Sequence, residues 1–230
     1  MQDPTAKGPT MFKPLSAIAV ALATFAAIST TAASAVPAAS CSIVLPAKVQ
    51  IASQFTVITA RPGSDCAASG MTDASWNVSP SRSGDFFSFA AGTLNSSYTF
   101  YSSWSRVGVL RAVETGATNS GGYLTQNSPT YTVKYATWAY LASSRSGSAV
   151  HIKGLINNYS KSHAGLVRGT GRSVYLQRYS GGVWRTILSR TANSTGRFTV
   201  AFIQPRTYHY RLIVTETSTA WSARSATTFG

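Results

Sequence analysis

The sequence predicts an all-β protein made of two tandem sandwich domains behind a cleaved leader, and three observations carry that expectation. No stretch after residue 36 keeps a 3.6-residue apolar period over three turns. Short runs of alternating apolar and polar residues recur instead at intervals of about ten, separated by clusters of Gly, Ser, Asn and Pro. Hydrophobic residues make up 44% of the chain and charged residues 11%, a balance that fits a packed core and excludes a disordered polymer.

The leader comes first. In "MFKPLSAIAVALATFAAISTTAASAVPAAS", Lys13 precedes an apolar run from Leu15 to Ile28, and small residues end in Ala33-Ser34-Ala35. That is the pattern of a secretory signal with an A-x-A cleavage site. The run is shorter than the roughly 20 residues needed to span a bilayer, so no transmembrane span is expected. Residues 1–35 are assigned to the leader, and the mature chain starts near Val36. The ten residues before Met11 add no signal feature, which makes Met11 an alternative start. Ala38 stands where a lipobox wants a larger aliphatic residue, which argues against lipidation of Cys41. An exported chain meets an oxidising compartment, so its two cysteines, Cys41 and Cys66, are expected to pair.

The strands follow in order. "KVQI", "QFTVITA", "ASWNVS", "FFSFAAG", "YTFYSS", "RVGVLRAVE" and "TYTVKY" read as strands of a first domain, residues 36–133. "TWAYLASSR", "AVHIKGLI", "SVYLQRY", "VWRTIL", "RFTVAF", "YHYRLIVTE" and "SATTF" read as strands of a second, residues 134–230. Between them "GATNSGGYLTQNSP" is rich in Gly, Ser and Asn, and the boundary is placed near Lys134. About seven strands in each half is the count of an immunoglobulin-like β-sandwich.

Charge divides unevenly across that boundary. The first domain is nearly neutral: Lys48, Arg61, Arg82, Arg106 and Arg111 stand against Asp65, Asp73, Asp85 and Glu114. The second holds Lys134, Arg145, Lys153, Lys161, Arg168, Arg172, Arg178, Arg185, Arg190, Arg197, Arg206, Arg211 and Arg224, with Glu216 the one acidic residue. The net positive charge of the mature chain therefore belongs to the second domain, and it marks acidic polymers or surfaces as partners.

Strand parity sorts these side chains between core and solvent. In "VYLQRYSGGVWRTILSRTANSTGRFTVAF", Val174, Leu176, Trp184, Leu188, Phe198, Val200 and Phe202 are expected inward. Arg185 and Arg197 are expected outward, and Arg178 at a strand end, its stem snorkelling to solvent. "SGG" at 180–182 supplies the positive φ values of a tight hairpin. In "YHYRLIVTE", Tyr210, Leu212 and Val214 point inward and His209, Arg211 and Ile213 outward. Tyr210 is a candidate tyrosine corner, its hydroxyl capping nearby backbone. "RGTGR" sets Arg168 and Arg172 around a G-x-G turn whose amides are a weak phosphate cradle. The candidate polyanion-binding set is therefore Arg168, Arg172, Arg178, Arg185, Arg197 and Arg211, provided that they share one face. Trp76, Trp104, Trp138 and Trp221 are assigned to packing.

One further feature is the order of motifs across residues 140–228. Val174-Tyr175-Leu176-Gln177-Arg178 is followed by Gly181-Gly182-Val183-Trp184, then Thr191 to Phe198, then Tyr210-Arg211. This order resembles that of bacterial immunoglobulin-like modules in exported actinobacterial proteins, with two more residues in the Thr191–Phe198 turn. The resemblance implies a sandwich fold and a spacer or binding role, and it brings no catalytic residues.

Direct motifs for chemistry are sparse. No G-x-S-x-G occurs, and His151, His163 and His209 have only Glu216 as an acid in their domain, short of a triad. No H-E-x-x-H, C-x-x-C or acidic calcium loop is present, so neither metal nor cofactor is expected. The chain reads as a secreted or cell-surface structural and binding protein, not an enzyme. Its basic second domain is expected to adhere to cell-wall phosphate polymers or an acidic membrane surface. An inert pair of spacer modules is the alternative. A nucleic-acid binder is a weaker one, because export argues against it.

Overall fold

The computed structural model describes residues 38–78, 86–103 and 106–230, and residues Ala38–Gly230 form one compact unit. The leader, Arg82, Asp85 and Trp104 lie outside the described residues. The chain is built almost wholly of strands. The first half contains β1 (Ser40–Cys41), β2 (Ile43–Val44), β3 (Lys48–Ile51) and β4 (Phe55–Pro62), then a short helix, α1 (Ser64–Ala68). It continues with β5 (Asp73–Asn77), β6 (Phe86–Ala90), β7 (Ser96–Tyr101), β8 (Gly108–Arg111), β9 (Val113–Asn119), β10 (Gly122–Tyr123), β11 (Thr125–Gln126) and β12 (Thr130–Tyr135). The second half contains β13 (Thr137–Ser146), β14 (Ala149–Ser160), β15 (Gly165–Arg168), β16 (Ser173–Ser180) and β17 (Val183–Thr191). It ends with β18 (Arg197–Ile203), β19 (His209–Val214), β20 (Ala223–Arg224) and β21 (Thr228–Phe229).

In the first half, β2-β4-β7 form one sheet, and β10-β9-β5-β6 and β3-β12-β8 form two more. Their apolar positions meet in one cluster that includes Ile58, Trp76, Phe87, Phe89, Phe100 and Val133. Trp76 is fully buried, and its indole N–H donates to the Asn127 carbonyl at 2.7 Å, which satisfies the polar end that burial would otherwise strand. The disulfide joins Cys41 of β1 to Cys66 of α1, as export predicts. Beside it the Asp65 carboxylate accepts hydrogen bonds from the Ser42 and Ser40 hydroxyls at 2.7 and 3.1 Å. Partial burial pushes this carboxyl up, but those bonds outweigh it and hold it below the usual carboxylate range.

In the second half, β14 pairs with β13 on one edge and with β15 and β18 on the other, while β17-β16-β19 form the opposing sheet with β20 and β21 on β19. The chain crosses between sheets from β15 to β16, back from β17 to β18, and over again to β19. This two-sheet order is immunoglobulin-like. Val150, Ile152, Ile156 and Phe198 from one sheet meet Val174, Leu176, Tyr210, Leu212 and Val214 from the other. Every one of them sits at the inward parity of its strand. Gly154 lets the Phe198 ring lie against β14, since a Cβ at that position would come within 1.8 Å of the Phe198 Cε1. Gly154→Ala is expected to destabilise the protein by about 1–3 kcal/mol through overpacking, read as a lowered urea midpoint at unchanged slope.

Two expectations about side-chain placement are overturned. Leu188 pairs with Leu176, but Thr186 pairs with Gln177, so Ile187 is an extra residue in β17, a bulge. The bulge inverts the parity of everything before it. Trp184 then lies opposite Tyr179 on the outer face of its sheet, and Arg185 lies opposite Arg178 on the inward parity, beyond the packed core. The tyrosine corner also fails: Tyr210 is fully buried with its ring against Phe202, and its hydroxyl has no hydrogen-bond partner among the described residues. Burial pushes the Tyr210 phenol up.

Buried contacts also run across residue 134, which lies inside β12. Trp221 is buried, its indole N–H donates to the Val49 carbonyl at 2.9 Å, and the Lys48 and Lys134 ammonium groups stand 5.1 and 5.2 Å from its ring. Tyr159 of β14 reaches into the first cluster and shares a 2.9 Å hydrogen bond with Ser102.

Candidate polyanion-binding surface

Strand order now decides where each nominated arginine goes. Arg168, at the end of β15, is exposed on the outer face of the β13-β14-β18 sheet, and its guanidinium donates to Asn157 Oδ1 at 3.1 Å. Arg197, at the start of β18, is exposed on that same face, opposite Leu155. Arg211 belongs to the other sheet. It lies on the outer face of β19, donates from Nε to Gln177 Oε1 at 2.8 Å and stacks 4.2 Å from the centre of the Trp184 ring. Partial desolvation and the neighbouring Arg224 lower its pKa from an ordinary value high enough that it stays charged.

Arg178 and Arg185 face each other at the end of the β16-β17 hairpin. Arg178 donates to Gln204 Oε1 at 2.7 Å and stacks 4.6 Å from the Tyr208 ring, so its stem is packed and its head tethered. Arg185 is exposed.

Arg172 is not on the surface at all. Only 7% of it is exposed, and its guanidinium donates to Thr137 Oγ1 at 3.2 Å, Asn158 Oδ1 at 2.8 Å and the carbonyls of Thr215 and Trp221 at 2.5 and 3.4 Å. A guanidinium presents five donors in a planar fork, and here that fork ties β13, β14 and the segment after β19 together. Burial lowers its pKa without neutralising it. The expectation of a phosphate cradle around "RGTGR" loses one of its two arginines for this reason.

The six arginines therefore do not form one patch. Two share the outer face of one sheet, one the outer face of the other, two a hairpin end, and one the interior. Across the half as a whole, the charge stays unneutralised. Among the described residues the ion pair is Lys134 with Glu216 at 2.5 Å, and every other basic side chain of β13 to β21 and their loops has no acidic partner there.

Residues that parity reasoning did not nominate complete one face. Tyr140 of β13 and Lys153 of β14 are exposed around a hollow of about 500 Å³ that Arg197, Leu155 and Thr199 also line, and His151, exposed two residues before Lys153, lines a smaller hollow next to it. The signal was present in "AVHIKGLI", whose alternation sends His151, Lys153 and Leu155 outward. What the sequence lacks is the pairing of β14 with β18 that sets Arg197 beside them. Of the tryptophans assigned to packing, Trp76 and Trp221 are buried and Trp138 is half-buried against the first cluster.

Fold and surface together define an all-β, immunoglobulin-like sandwich protein with a cationic exterior on its second half. Among the described residues no group of three His, Cys, Asp or Glu is placed to hold a metal ion, and no helix is long and apolar enough to cross a membrane. No family model and no curated protein matches the chain. Solved structures similar to it include the human OSCAR ligand-binding domain, at 10% identity over 83% of this chain and 98% of that one, with a TM-score of 0.29. A tetra-tandem repeat from the extending region of a large adhesion protein is 11% identical over 83% of this chain and 48% of that one, with a TM-score of 0.33. The D00-D0 domain of intimin is 10% identical over 82% of this chain and 98% of that one, with a TM-score of 0.26. At such scores nothing about this chain's ligand follows from them.

Proposed function

We propose that the chain is an exported, non-enzymatic structural and binding protein whose basic second half adheres to polyanions outside the cell. The surfaces that fit are the phosphate-rich polymers of a wall or an acidic membrane surface. The two halves, residues 36–133 and 134–230, act as successive modules. The Cys41–Cys66 disulfide and the leader pattern support export. The observation that carries the reading is the absence, among the described residues, of any carboxylate beside the cations of the second half other than Glu216 at Lys134. An exterior of this kind keeps a positive field over its whole surface and attracts polyanions without a shaped pocket. Arg168, Arg178, Arg185, Arg197 and Arg211 are the arginines of the nominated set that remain available to it.

The full chain is expected to be retained on a phosphate-bearing matrix and to lose about tenfold or more of that affinity between roughly 50 and 200 mM salt. A neutral matrix of the same pore size should not retain it. Absent retention, or retention that ignores salt, favours the second reading, an inert spacer. That reading draws on the spread of the arginines over both sheets.

A further inference from the structure

We propose, resting on the polyanion reading, that the outer face of the β13-β14-β18 sheet is a binding groove for an acidic polysaccharide. Two hollows lie in line along the β14-β18 seam. The larger, about 500 Å³, is lined by Tyr140, Leu155 and Arg197 and shares Lys153 and Thr199 with a second of about 240 Å³ that reaches His151. From Leu155 to His151 the seam runs about 13 Å at the rise of a strand, long enough for more than one sugar ring.

The lining is chemically one-sided. Lys153 pairs with Thr199 and Leu155 with Arg197, so Lys153 and Arg197 are diagonal neighbours about 7–8 Å apart, and both are exposed. His151 lies two residues beyond, on the same face. Among the described residues no carboxylate lines either hollow. Tyr140, opposite Leu155 in the pairing of β13 with β14, is 48% exposed and offers a ring and a hydroxyl beside the two cations. Successive cations beside an aromatic ring match a polymer that repeats an anion on a sugar: the ring face stacks on Tyr140, the anions meet Lys153 and Arg197, and Thr199 offers a hydroxyl for hydrogen bonding.

Two other occupants fit less well. A single nucleic-acid strand is held on successive exposed aromatic rings, and of the Tyr, Phe or Trp rings lining these hollows only Tyr140 is exposed, the Phe198 ring being packed against Gly154. A peptide adds to a sheet through free main-chain edges, and β14 beneath the groove is hydrogen-bonded on both sides, to β13 and to β18.

The test is titration calorimetry of the full chain at fixed salt with three probes. They are polygalacturonate, which carries a carboxylate on each sugar, inorganic polyphosphate, which carries charge without sugar, and neutral dextran. Tyr140→Ala is expected to weaken polygalacturonate binding about fivefold or more while changing polyphosphate binding by less than about twofold. Lys153→Gln with Arg197→Gln should weaken polygalacturonate about tenfold or more. Arg190→Gln with Arg224→Gln removes the same charge from the opposite sheet and should change it by less than about threefold. If the two double variants weaken binding equally, or if Tyr140→Ala leaves polygalacturonate binding at the wild-type level, the groove is refuted and diffuse polyanion adhesion stands. If neither charged polymer binds the wild-type chain, the polyanion reading itself fails.

Discussion

Arg172→Met is expected to lower the unfolding free energy by about 3 kcal/mol, one of the two largest single effects on this fold. The substitution keeps the stem but removes a buried fork that serves Thr137, Asn158 and the carbonyls of Thr215 and Trp221. Those acceptors lie where water enters poorly, and each unsatisfied one costs about 1–3 kcal/mol before relaxation recovers part of it. Arg172→Lys should recover only a fraction, because one ammonium cannot reach acceptors spread around a planar fork. Urea unfolding followed by tryptophan fluorescence reads the effect. A wild-type midpoint for Arg172→Met, combined with weakened retention on a phosphate matrix, would return this arginine to the binding surface.

Replacing Cys41 and Cys66 together by serine is expected to cost about 3–3.5 kcal/mol. The bond closes a loop with a sequence separation of 25 and fastens β1 to α1, elements of two and five residues that are otherwise joined by the hydrogen bonds of Ser40 and Ser42 to Asp65 and of Ser69 to the Ser40 carbonyl. The stabilisation acts mainly through the unfolded chain, whose freedom the crosslink restricts. A reductant should therefore shift the urea midpoint of the wild-type protein and leave the double serine variant unmoved. Equal midpoints for wild-type protein with and without reductant, at full reduction of the thiols, would contradict this.

Both effects bear on function through compartment and surface. The disulfide suits an oxidising exterior. The buried arginine subtracts from the charge that a polyanion meets. On the proposed reading the remaining cations act in two ways: as a diffuse field over the second half, and as a pair, Lys153 and Arg197, that lines one hollow with Tyr140.

Much of the fold was legible because it is local. Alternation in "AVHIKGLI" and "RFTVAF" places Val150, Ile152 and Phe198 inward without any knowledge of neighbours, and all three are buried. Gly181 and Gly182 turn the β16-β17 hairpin with φ of 59° and 80°, the conformation that their lack of a Cβ allows. The helix Ser64–Ala68 was not foreseen, because five residues carry too little periodicity to register. Parity reasoning fails at Trp184 for a specific cause. It assumes an unbroken count of two along β17, and one unpaired residue, Ile187, reverses every side chain on one side of it.

The sequence alone determined the class of the molecule and its chemical character. Strand periodicity, turn residues, two cysteines behind a leader-like apolar run and a basic second half are properties of neighbouring residues or of composition, and no partner strand is needed to read them. Which cations meet solvent together was settled only by tertiary structure. Arg168, Arg172 and Arg197 look alike in sequence, yet strand pairing sets Arg197 beside Lys153, the crossover from β15 to β16 buries Arg172, and Asn157 tethers Arg168. Pairings between residues tens of positions apart depend on which strand finds which edge, and that choice is made by the whole core rather than by any segment of it.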